Sequence, residues 1–392
     1  MSARLLGVQI ANGYSSEASV FAGLLAHTDR AIVEPHVLHH QWAGDLQSAK
    51  TFQQISGASL QMLDFGWRSM TPGRSLPAKA QARLRFLAAL PRALALARRL
   101  NPDIIYSSQQ LWDCQAATYL ARKLGKPQVI HLHYIIGSWL HRPVLGRLLT
   151  CEHVVAVSDF IREEALRHGV KAEKVTTIRN TVPATPPADP GTRAAVREEL
   201  GIAPDAPLLG IVARLDPDKG QADTLRAFAQ ARREHPRLQL LVVGDPSPWH
   251  PAYAGTLREL AEGLDVAEGV HFLGRRSDVP RLLAAMDVFV HPSRREPFGL
   301  AVAEACAAGL PVAAYAEGGT NELVQNGVTG LLAAPGDVDA LARSIQCLSD
   351  DLGRACAMGR AGRERIASDF RPVIAGQAFT ALMSRVTGLK VD

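Results

Sequence analysis

The chain has 392 residues, 47% of them hydrophobic and 21% charged. That balance excludes global disorder and disulfide-stapled scaffolds, and at roughly 150 residues per domain it implies two or three domains. The net charge of +5 hides an uneven split, because residues 1–183 carry 21 Lys+Arg against 12 Asp+Glu while the remainder is net −4. Five cysteines without a CxxC pair fit isolated, reduced thiols rather than zinc or disulfides. No apolar run reaches the ~18 residues of a membrane span. Asn12, Ser15, Ser16 and Glu17 fall where a signal peptide would stay apolar, so a cytoplasmic protein is expected.

In chain order, the front half alternates short apolar runs with helical stretches. LLGVQI (5–10) precedes a helix after Ser16; DIIYS (103–107) precedes a helix over 113–124; QVIHLHY (128–134) and HVVAVS (153–158) follow. Strands alternating with helices predict a parallel sheet covered on both faces. Between Asp64 and Asp103 there is no acidic residue, while Arg68, Arg74, Lys79, Arg83, Arg85, Arg92, Arg98 and Arg99 all lie there, and residues 114–151 are also acid-free. The stretch 83–100 mixes Arg with Leu, Phe and Ala at helical spacing. Two readings stay open: a helix resting on anionic lipid or an acidic partner, and a solvated helix packed on the core, with Pro91 expected to kink it. No nucleic-acid motif accompanies this charge, so no nucleic-acid partner is expected.

The proline-rich segment 181–192 marks a domain boundary. The expected division is a domain over 1–183, a linker over 184–204, a domain over 205–369, and a closing amphipathic helix within 370–392 that packs back on the first domain. In the second domain PLLGIVARL, LQLLVVGD, VHFLG, VFVHPS, LPVAAYA and TGLLAAPG predict a second parallel sheet. Two such domains place a cleft between the carboxyl ends of their strands, where open α/β sheets bind ligands.

Two loops in this half carry chemistry. IVARLDPDKG puts Arg214 and Lys219 between a strand and a helix, a guanidinium and an ammonium suited to a diphosphate. The Asp216-Pro217-Asp218 letters spell DxD, but Pro217 and the following Lys-Gly mark an ordinary turn. VFVHPSRREPFGLAVAEA predicts a helix beginning near Phe298, where Gly299 lets a ligand approach the backbone and the first-turn N–H groups hold phosphate. Glu296 and Glu304 flank it eight residues apart, and carboxylates beside a phosphate site are sustained by accepting hydrogen bonds from hydroxyls, as of a ribose and a sugar.

These residues resemble glycosyltransferase family 4, the retaining nucleotide-sugar enzymes of GT-B fold, tightly over 210–345 and loosely over the front half. EPFGLAVAE matches the family's E-x7-E motif. The resemblance implies that Arg214 and Lys219 bind the donor diphosphate, Glu304 the ribose, and Glu296 the transferred sugar, with backbone N–H groups of Phe298, Gly299 and Leu300 assisting. It implies that His133, ending QVIHLH, lines the reaction centre. In the first loop only Gly13 matches the family's two glycines, since Asn12 stands for the other, and Ser15 or Ser16 substitutes in binding. VSDFIREEALRHGVKAEKVTTIRNTV resembles the end of the first domain, with Thr181 in place of a usual glycine.

The implied reaction moves a hexosyl group from a UDP- or GDP-sugar with retention and without a protein nucleophile. The two basic residues replace a metal, so no cofactor is expected. The basic front half points to a lipid-linked, phosphorylated or cell-envelope glycan acceptor, with Ser15, Ser16, Arg68, Arg74 and Arg83 as candidate contacts, and to peripheral association with an anionic membrane. A small-saccharide or natural-product acceptor and a non-catalytic GT-B subunit are the alternatives. A dehydrogenase would need GxGxxG and a P-loop enzyme GxxxxGK[ST]; neither occurs.

Overall fold

The computed structural model describes residues 2–10, 16–41, 47–66, 75–108, 110–137, 142–182 and 189–389. The chain forms two compact units, residues 1–181 with 372–392, and residues 182–371.

The first unit holds a parallel sheet of β1 (Ala3–Gln9), β2 (Val33–His40), β3 (Ser59–Leu63), β4 (Ile104–Ser108), β5 (Gln128–Leu132), β6 (His153–Ala156) and β7 (Val175–Thr177). Their order across the sheet is β3-β2-β1-β4-β5-β6-β7, so it reverses between β1 and β4. Successive side chains of a strand point to opposite faces, and both faces are covered here. Leu5 and Ile104 enter one core with Phe21 and Tyr106; Leu6 and Ile105 enter the other with Phe86 and Trp112. The helix Pro372–Thr387 belongs to this unit, seating Phe379, Leu382 and Met383 in the first of those cores. The helix Leu76–Leu100 runs through Pro91 without ending. Among the described residues no helix is long and apolar enough to cross a membrane.

The second unit repeats the plan with β8 (Leu208–Val212), β9 (Gln239–Val243), β10 (Val270–Gly274), β11 (Val288–His291), β12 (Val312–Tyr315) and β13 (Gly330–Ala333). The order is β10-β9-β8-β11-β12-β13, all neighbours parallel, reversing between β8 and β11.

Within the expected linker 184–204, the described residues from 189 onward include a helix. Pro190–Glu199 form a helix whose Arg197 is buried, donating to the carbonyls of Ala203, Pro204, Ala206 and Ala285 and to Asp287 Oδ2 at 2.8 Å. The same Asp287 oxygen accepts from the Leu208 N–H, so the helix is fastened to the entry of β8. A buried guanidinium needs this saturation of its donors.

Candidate functional site

The carboxyl ends of β8 and β11, neighbours at the reversal of the second sheet, carry the two loops singled out above. Open α/β sheets bind ligands at this place because adjacent loops diverge there. Arg214 follows β8 with its side chain 59% exposed and its Nε 3.7 Å from Asp216 Oδ2. Asp216 is buried and spends its carboxylate inside the turn, on the Asp218 N–H at 3.4 Å and near His250 Nδ1 at 3.4 Å. Pro217–Lys219 form a 3-10 turn closed by Gly220 at φ 75°. A Cβ on Gly220 would lie 2.2 Å from the Pro292 carbonyl oxygen, so the two loops touch where only glycine fits. Hydrogen bonds lock the contact: the Arg294 N–H and the Ser293 hydroxyl both donate to the Asp218 carbonyl, at 3.0 and 3.2 Å.

That clamp brings Lys219 and Glu296 together, 77 residues apart in sequence. Lys219 Nζ donates to Glu296 Oε2 at 2.8 Å, and His291 Nε2 donates to the same oxygen at 3.0 Å. Oε1 is left to accept from a ligand hydroxyl, and Lys219 keeps two of its three N–H donors. Burial pushes the Glu296 carboxyl up, but the Lys219 ammonium and the His291 hydrogen bond outweigh it and hold the group well below the usual carboxylate range. The Glu296 carbonyl accepts the Gly319 N–H at 2.9 Å, fixing the loop from a third side.

The helix Leu300–Ala307 starts two residues later than expected, with Gly299 as its cap at φ 100° and Phe298 buried before it. Its first-turn N–H groups have no intrahelical acceptor and, with the helix dipole, favour an anion. Glu304 lies one turn into this helix, exposed and without an ion-pair partner among the described residues. The two glutamates therefore differ: Glu296 is buried and paired, while Glu304 has an exposed side chain whose carboxyl is nonetheless pushed up by the protein packed around it. His291 was missed by sequence reasoning; its signal was a histidine ending a strand five residues before Glu296.

In the first unit, His133 follows β5, buried, its ring centroid 4.1 Å from that of His131. The Tyr106 hydroxyl bonds His131 Nδ1. Burial pushes the His133 imidazole down to about 3, and burial and then His133 lower His131 as well. Glu17, equally buried, accepts from Gln110 Nε2 at 2.8 Å. Ser16 begins the helix Ser16–Ala26, and Arg83 is exposed on the helix Leu76–Leu100. Gly13, Ser15, Arg68 and Arg74, with Asn12, lie outside the described residues.

Two parallel Rossmann-like sheets, the second with cations and helix N–H groups at its reversal point, define a protein of GT-B fold. The chain belongs to glycosyltransferase family 4: residues 18–185 match the profile described as Glycosyltransferase Family 4, and residues 192–365 that described as Glycosyl transferases group 1. It is 31% identical over 302 residues to the glycogen synthase of Mycobacterium tuberculosis, covering 71% of this chain and 68% of that one. It is 37% identical over 206 residues to the GDP-mannose-dependent monoacylated alpha-(1-6)-phosphatidylinositol monomannoside mannosyltransferase of Corynebacterium glutamicum, spanning about half of each (50% and 52%). Among solved structures it is similar to Anabaena HepE in complex with UDP and glucose, with a TM-score of 0.81, 23% identity, and 98% and 100% of the two chains covered.

Proposed function

We propose that the protein is a retaining, metal-independent glycosyltransferase that moves a hexosyl group from a UDP- or GDP-sugar to a hydroxyl of a phosphorylated, lipid-linked or cell-envelope glycan acceptor. The observation that carries this reading is the Lys219–Glu296–His291 cluster at the second sheet's reversal point. Lys219 has two N–H donors left for diphosphate oxygens, Arg214 adds a planar fork, and the first turn after Gly299 adds backbone N–H groups. Glu296 Oε1 takes a sugar hydroxyl and Glu304 the ribose hydroxyls.

The acceptor oxygen attacks the anomeric carbon on the face from which the nucleoside diphosphate departs. The carbon–oxygen bond to the diphosphate breaks with its electron pair staying on the leaving group, which takes the acceptor's proton. Arg214, Lys219 and the helix N-terminus stabilise the charge that develops there. Arg214 and Lys219 supply the positive charge that a metal would otherwise bring, and Asp216 is already spent in its turn. The anionic acceptor is supported by the basic first half and by relatives named for phosphatidylinositol mannoside and D-inositol 3-phosphate.

Calorimetric titration with UDP, GDP and ADP, with and without EDTA, tests the donor site. One diphosphate is expected to bind regardless of EDTA. Glu304→Ala is expected to weaken it roughly tenfold, the loss of hydrogen bonds to a charged group. Absence of binding by all three would sink the transferase reading in favour of a non-catalytic subunit, and binding abolished by EDTA would sink metal independence.

A further inference from the structure

A second surface lies on three helices of the first unit, and of its residues only Arg83 is among the expected acceptor contacts. A recess of about 240 Å³ is lined by Gln115, Thr118, Tyr119, Arg122 and Lys123 of the helix Leu111–Leu124 and by Arg147 of the helix Arg142–Thr150. Residues 115, 118, 119 and 122 share one helical face. A smaller recess adjoins it at Gln115 and reaches Arg83 and Leu87 of the helix Leu76–Leu100.

The charge here is uncompensated. The three helices contain one carboxylate, Asp113, which is buried and accepts from the Ile10 N–H and the Ser108 hydroxyl. Arg83, Arg122, Lys123 and Arg147 have no carboxylate partner among the described residues; Arg147 gives Nη1 to the Pro143 carbonyl, and its buried Nε has no partner. Leu87 lines the smaller recess with Arg83, and Leu84 stands one turn before it on the same helix, exposed by 50 and 67%.

Unpaired cations beside exposed leucines fit one kind of partner. Phosphate headgroups satisfy guanidinium forks, and leucines gain by entering the acyl boundary just beneath. A polyanion in water would use the cations and leave the leucines wet. We propose that this face docks on an anionic lipid surface, with the recess between Arg122, Lys123 and Arg147 taking a headgroup phosphate. The structure also divides the basic helix. Arg83 and Arg85 point about 200° apart, Arg85 lying against Gly66, and Arg92 shares its flank.

Vesicle sedimentation with the full chain tests this, comparing phosphatidylcholine alone with phosphatidylcholine containing phosphatidylglycerol. The chain is expected to bind the anionic vesicles selectively. Arg122→Ser/Arg147→Ser is expected to weaken binding roughly thirtyfold, from the worth of two cations at a membrane surface. Arg85→Ser/Arg92→Ser, which removes equal charge from the other flank, is expected to lose no more than about threefold. Leu84→Ser/Leu87→Ser is expected to weaken binding without changing its salt dependence. Arg147 is half-buried and the other positions are exposed, and unchanged melting temperatures separate loss of docking from loss of fold. Equal losses for the two arginine pairs, or no selectivity for phosphatidylglycerol, would overturn the proposal. So would inorganic phosphate bound through Arg122 and Arg147 without vesicle binding.

Discussion

Glu296 concentrates what one residue decides. Its carboxyl is held below its unfolded value, so the stabilisation it provides is complete above the ordinary glutamate pKa of about 4.3 and is lost as pH falls through the lower folded value. The stability difference between the native chain and Glu296→Gln is therefore expected to be constant near about pH 7 and to shrink under acid. Urea unfolding across that range measures it, and a gap that widens on acidification would contradict the Lys219–His291 arrangement. His131 and His133 act in the same direction for another reason: both are buried neutral, while the unfolded chain protonates them below about pH 6.5. Each is expected to cost up to ~1.4 kcal/mol per pH unit below that point. The His133 ring should show no titration by NMR above about pH 4, and a midpoint near 6.5 would mean that it is solvated.

Elements show where sequence patterns succeed and fail. LLGVQI, DIIYS, QVIHL and HVVA are buried on both faces and become β1, β4, β5 and β6. Strands β2 and β3 were not recognised. VEPHVLHH contains a proline and three histidines, and SLQML is half-buried at the sheet edge, so neither has an apolar run to reveal it. The helix Pro190–Glu199 was hidden by its proline-rich approach, and its worth comes from Arg197, whose partners lie in two other stretches, 203–206 and 285–287. Arg197→Ala takes the buried partner away from the half-buried Asp287 and is expected to cost about 3 kcal/mol. Calorimetry should show this as a lower transition for the second unit alone, and an unchanged transition would mean that Arg193, also paired with Asp287, suffices.

At the scale of the molecule, chain order and spatial order disagree at the carboxyl terminus. The helix Pro372–Thr387 follows the second unit in sequence but buries Phe379, Leu382 and Met383 in the first, with the Phe379 ring 5.5 Å from that of Tyr106. Truncation after Arg371 uncovers those three side chains, at about 1.5–3 kcal/mol each. The expected result is a collapsed first transition and an intact second one. A truncation that lowers both transitions equally would show that the units do not unfold separately.

The sequence by itself determined the alternation of strands and helices, the two parallel sheets and the residue types at the second site. Apolar runs, loop glycines and the eight-residue spacing of Glu296 and Glu304 are local, and local physics reads them. Tertiary structure alone decided which atoms meet. Lys219 met Glu296, His291 joined them, and Arg197 found Asp287, because a contact between distant residues depends on which strand ends the sheet order makes neighbours.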